Sequence, residues 1–101
     1  MNKTHFNKLT PAESERLAVL MEELAEVQQV IGKILRHGYD SCHPDNPSTN
    51  NRELLQKELG DVQAAFELMD NAGDIKSDII AQFSEDKLTK IEKYLHHNKI
   101  D

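Results

Sequence analysis

From Leu17 to Leu35, apolar residues recur every three or four positions, as Leu17, Leu20, Met21, Leu24, Val27, Ile31, Ile34 and Leu35. That spacing closes on one face only if the chain turns by about 100° per residue, so the segment must be an amphipathic helix. Its ends are signalled as well. Thr10-Pro11-Ala12-Glu13 sets a capping hydroxyl, a proline whose missing N–H costs nothing in the first turn, and a glutamate three residues after the cap. His37-Gly38 supplies a stop, so a helix over about residues 11–37 is expected. Asn50-Asn51-Arg52-Glu53 again reads as a cap, and Leu54, Leu55, Leu59, Val62, Ala65, Phe66 and Met69 carry a second stripe to Asn71-Ala72-Gly73. After Gly73, Ile75, Ile79, Ile80 and Phe83, then Leu88, Ile91, Tyr94 and Leu95, predict two shorter helices or one bent helix, with Ser84 as the cap where the register is renewed. Between the first two helices, residues 38–50 hold two prolines and many short polar side chains, which predicts a loop. No strand-like alternation is present. The expected fold is therefore all-α: a single domain over residues 1–101, built as a bundle of three to four helices. A chain of 101 residues gives such a bundle a thin core, so assembly as a dimer or tetramer is expected.

Several function classes are excluded early. With 12 Lys and Arg against 18 Asp and Glu, the net charge of −6 offers no footprint for nucleic acid. No run approaches the ~20 apolar residues of a membrane helix, and Met1 to Thr10 lack the apolar core of a signal peptide, so no membrane partner and a cytoplasmic location are expected. The single cysteine, Cys42, can build neither an internal disulfide nor a CxxC site and reads as a loop thiol.

Acids, by contrast, are organised. Glu22, Glu23 and Glu26 stand together on the first helix, Glu58 and Asp61 on the second. Residues three apart differ by about 60° around a helix axis, so each pair points one way. Glu58 also falls among Leu55, Leu59, Val62 and Phe66, inside the apolar stripe. A carboxylate there needs a compensating charge, because an unpaired buried anion costs several kcal/mol or is driven to protonate. Antiparallel packing would bring Glu23 and Glu26 opposite Glu58 and Asp61, and all-oxygen ligation is what Mg²⁺ and Mn²⁺ prefer. Gly60, costly inside a helix, suits a place where something approaches closely. A di-iron centre would require Glu-x-x-His, and no glutamate has a histidine three residues later.

Glu22-Glu23-Leu24-Ala25-Glu26 followed by Glu58-Leu59-Gly60-Asp61 resembles the EExxE…ExxD signature of the MazG-type all-α nucleoside triphosphate pyrophosphohydrolases, over about residues 15–70. The resemblance implies that Glu23, Glu26, Glu58 and Asp61 are Mg²⁺ ligands, with Mn²⁺ a substitute, and that Glu22 is an accessory acid near the metal or the attacking water. It implies a nucleoside triphosphate substrate, cleaved to monophosphate and pyrophosphate. The 31 residues between the motifs, Val27 to Lys57, exceed the family's usual span and contain His43-Pro44-Asp45-Asn46-Pro47, a departure that bears on substrate identity more than on chemistry.

Two other functions compete with this one. In a phosphoribosyl-ATP pyrophosphohydrolase the chemistry would be alike and the substrate different. In a non-catalytic oligomerisation module the apolar stripes would bind protein and the acids would be solvated. Lys33, Arg36, Lys57, Lys87 and Lys90 are available to meet phosphates, although a solvated surface charge is the ordinary role of each. His37 and His43 can hold a base or phosphate, Tyr39 can stack on a nucleobase, and Asn46, Asn50 and Asn51 can read base edges. Ordinary roles for these residues are a helix end, packing over the bundle's end, and capping or turn formation. His96 and His97 close the last helix without a zinc pattern.

Overall fold

The first helix, α1, spans Pro11–His37 in the computed structural model, which describes residues 6–98. Residues 1–5, the start of the segment read for a signal peptide, lie outside that range. The expected capping box is complete: Thr10 Oγ1 accepts from the Glu13 N–H at 3.1 Å, and the Thr10 N–H donates to Glu13 Oε1 at 2.8 Å. Gly38 ends the helix, its N–H donating to the Ile34 carbonyl.

The next segment departs from the all-α expectation. Within residues 38–50 the chain forms a small antiparallel hairpin of β1 (Cys42–His43) and β2 (Asn46–Asn50), pairing Cys42 with Asn50 and His43 with Asn46. The hairpin is anchored to the next helix by backbone hydrogen bonds, from the Asn51 N–H to the Ser41 carbonyl and from the Arg52 N–H to the Tyr39 carbonyl. Asn50 then caps α2 (Asn51–Ala72), its side chain accepting from the Glu53 N–H at 2.9 Å. At the far end Gly73 adopts φ +84°, a left-handed conformation that a side chain would strain, and the turn returns N–H groups to the Asp70 and Met69 carbonyls.

α1 and α2 run antiparallel and pack on each other, while the third helix, α3 (Ser77–Ile91), makes little contact with either. α3 is one continuous helix that passes straight through Ser84, so the expected renewal of register does not occur. No proline or glycine lies within residues 77–91 to break it. A single 3₁₀ turn over Glu92–Tyr94 follows. The N-terminus of α3 is held to α2 by the Ser77 N–H donating to Asp70 Oδ1.

Only Val30, Ala65 and Met69 are buried apolar side chains among the described residues. The stripe read along α1 splits in two. Leu20, Val27, Val30 and Ile34 face α2 together with Arg16, Glu23, Glu26 and Lys33, whereas Leu17, Met21, Leu24, Ile31 and Leu35 stand exposed as a second apolar stripe. The inward set thus shares the seam with polar side chains. One of them is clamped: Arg16 donates through Nε to Asp74 Oδ2 at 2.6 Å and through Nη2 to Asp74 Oδ1 at 3.0 Å, tying the start of α1 to the turn after α2. This bidentate contact raises the Arg16 pKa and holds the Asp74 carboxyl below its usual value. The radius of gyration is 17.6 Å, against about 13 Å for a compact domain of this length.

Candidate metal centre

Because α1 and α2 are antiparallel, the two acid pairs come together with opposite polarity. One carboxylate oxygen from each of Glu23, Glu26, Glu58 and Asp61 lies within 4.8 Å of the others, and all four residues are half-buried. The helices do the positioning: residues three apart on each give one pair of oxygens, and the seam faces the pairs toward each other.

Electrostatically the cluster is incomplete. Glu23 Oε2 and Glu58 Oε2 are buried and lack any hydrogen-bond partner, a costly condition for anionic oxygens. The Glu26 carboxyl is pushed up to about 7, first by its hydrogen bond with Glu58 and then by the charge of Glu23. In the metal-free protein, protonation of Glu26 therefore favours the fold at acid pH, and that contribution is lost as pH rises through about 7. Among the described residues, the cationic side chain in contact is Lys57, whose Nζ sits 2.8 Å from Asp61 Oδ2 and 3.7 Å from Glu58 Oε1. It reaches the rim and leaves the two orphaned oxygens unserved. A divalent cation fits this donor set: hard, all-oxygen, and short of positive charge where the helices bury it.

The other expected residues are distributed as follows. Glu22 is exposed and outside the four-oxygen cluster. Gly60 is exposed as well, and a Cβ added there would meet nothing within 4 Å, so no close approach explains it within one chain. Lys87 and Lys90 are exposed on α3, and His96 and His97 are exposed beyond the 3₁₀ turn. Tyr39 is exposed, and the guanidinium of Arg52, at the start of α2, lies 4.5 Å from its ring centroid. Asn50 is the cap of α2, and Asn51 is buried, its Nδ2 donating to the Gly38 carbonyl. Asn46 accepts from the Ser48 hydroxyl within the hairpin. Lys33, Arg36, His37 and His43 converge with Asn51 on a cavity of about 410 Å³ between the hairpin and the ends of α1 and α2.

Sequence reasoning counted Lys57 as one of five interchangeable cations and passed over Arg16. The signal for Lys57 was its place four residues before Asp61, the spacing at which helix side chains meet. For Arg16, whose partner lies 58 residues away, local spacing carried no signal. No family model, curated protein or solved structure matches the chain significantly. No helix among the described residues is long and apolar enough to cross a membrane.

Proposed function

We propose that this chain is a Mg²⁺-dependent nucleoside triphosphate pyrophosphohydrolase of the MazG type, working in the cytoplasm as a homo-oligomer. The observation that carries the reading is the meeting of four carboxylates from two helices, with Glu23 Oε2 and Glu58 Oε2 buried and unpartnered. A cation held by Glu23, Glu26, Glu58 and Asp61 would neutralise phosphate oxygens as charge develops on them. The reaction adds a water oxygen to the α-phosphorus and breaks the bond to the α–β bridging oxygen. The electron pair leaves with pyrophosphate, and a water proton passes to a carboxylate. Glu22, next to Glu23 and open to solvent, is the accessory acid beside that path. The chain's own contribution is to hold its acids in register and to exclude water from their inner oxygens.

The homo-oligomer rests on the two apolar stripes left uncovered, one on α1 and one on α3. A second copy covers both at once. Those same stripes favour the competing reading, a non-catalytic interaction module, in which the acids bind nothing.

The two are separated by incubating the protein with Mg²⁺ and a panel of ribo- and deoxynucleoside triphosphates plus phosphoribosyl-ATP. The enzyme yields a monophosphate and pyrophosphate from at least one; the module yields neither. A second expectation concerns protons. Cation binding must displace the one on Glu26, so calorimetry near pH 6.5, roughly half a unit below the raised value, should show proton release that fades above about pH 8.5. Heats that do not depend on the buffer's ionisation enthalpy at the lower pH would contradict this.

A further inference from the structure

We propose that the cavity between the hairpin and the helix ends receives the pyrophosphate end of the substrate, a role that rests on the hydrolase reading above. The cavity is lined by Lys33, Arg36, His37 and His43, with no carboxylate among its lining residues. In a chain of net charge −6, two cations and two imidazoles around one hollow describe a site for an anion. Lys33 is half-buried, and among the described residues neither it nor Arg36 is paired with an acid. His43 Nδ1 accepts from the Asp45 N–H at 3.0 Å, so the neutral ring carries its proton on Nε2 and presents a donor.

Position relative to the acids gives the cavity its partner. Lys33 follows Glu26 by seven residues, and Leu54 and Asn51, also in the lining, precede Asp61 and Glu58 by seven. Seven residues is about two turns, within about 20° of the same direction, so the cavity lies about 10 Å further along the groove that holds the carboxylates. Long side chains on a helix lean toward its N-terminus. On α1 that carries the Lys33 and Arg36 arms back toward Glu26. The Arg36 guanidinium does fold back in this way, with Nη1 3.5 Å from where a Cβ would stand on Gly32. Side chains must do the holding, since the Asn51, Arg52 and Glu53 N–H groups at the start of α2 already donate to Ser41, Tyr39 and Asn50. A polyphosphate can thus lie with its scissile end at the acids and its terminal phosphates among the cations.

The test is calorimetric titration of the full chain with inorganic pyrophosphate in EDTA, where neither metal nor turnover contributes. Pyrophosphate is expected to bind, and Lys33→Met with Arg36→Met to weaken it by at least about tenfold. Cys42→Glu, which sets a repelling charge on the exposed β1 rim, should weaken it in the same direction without touching α1. Mn²⁺ binding measured on the same variants should be unchanged. Absence of pyrophosphate binding, affinity unaltered by these substitutions, or a nucleoside monophosphate bound as tightly through the same two cations would overturn the assignment. Because the titration requires no hydrolysis, it stands or falls separately from the enzyme reading.

Discussion

Replacing Glu58 by Gln is expected to leave the metal-free protein more stable and the enzyme dead. The side chain is 13% exposed, and its Oε2 is among the buried oxygens with no partner. A neutral amide of the same shape removes one charge from a cluster of four and can donate to the Glu26 carboxylate. A gain of about 1 kcal/mol in metal-free stability at pH 8 is the scale of one recovered hydrogen bond. Mg²⁺ at 100 times its dissociation constant should stabilise the wild type by about 2.7 kcal/mol and the variant by next to nothing. Turnover should fall by about 10²–10³-fold or more, the scale on which a pre-positioned transition-state charge is lost. Thermal melts with and without Mg²⁺, beside a rate assay, check all three. If the acids were merely solvated, the substitution would move none of them.

The second large effect is expected on α3, where Ile80→Glu together with Phe83→Glu should convert an oligomer to a monomer of 11.5 kDa. Phe83 is 67% exposed in a single chain, no residue of α3 is buried, and the helix has little contact with the pair beside it. Burying a large apolar side chain contributes about 2 kcal/mol. With Phe83 67% and Ile80 36% exposed, covering both in each of two copies is worth about 4 kcal/mol as an upper estimate, about three decades in dissociation constant. Sedimentation velocity at tens of micromolar decides the matter. A wild-type chain that already sediments as a monomer would refute the assembly.

What could be read in advance, and what could not, follows from the range of the forces involved. The helix boundaries at Thr10, Gly38, Asn50 and Gly73 are set by caps and left-handed turns, which act over a few residues and leave their mark in the local sequence. The acid pairs were legible for the same reason, since three-residue spacing fixes direction on any helix. Which apolar stripe of α1 would meet α2 was not legible. Both stripes have helical period, and local spacing could not show that Arg16 and Glu26, on the inward face, find partners in Asp74 and Glu58 on other elements. The hairpin at residues 42–50 was hidden by its composition: its strands contain Pro47 and Asn50, carry no aromatic residue, and hold their shape by backbone bonds to the start of α2. The same hairpin supplies Cys42, His43 and Pro44 to the cavity wall, so the cavity could not be anticipated either.

The most direct measurement of the central claim is phosphorus NMR of a nucleoside triphosphate incubated with the protein and Mg²⁺, repeated after EDTA and with Asp61→Ala. The account predicts that the three triphosphate resonances give way to one monophosphate and one pyrophosphate signal, only with the metal and only with Asp61 in place. Release of orthophosphate and a diphosphate, or hydrolysis that persists in EDTA or in the variant, would contradict it.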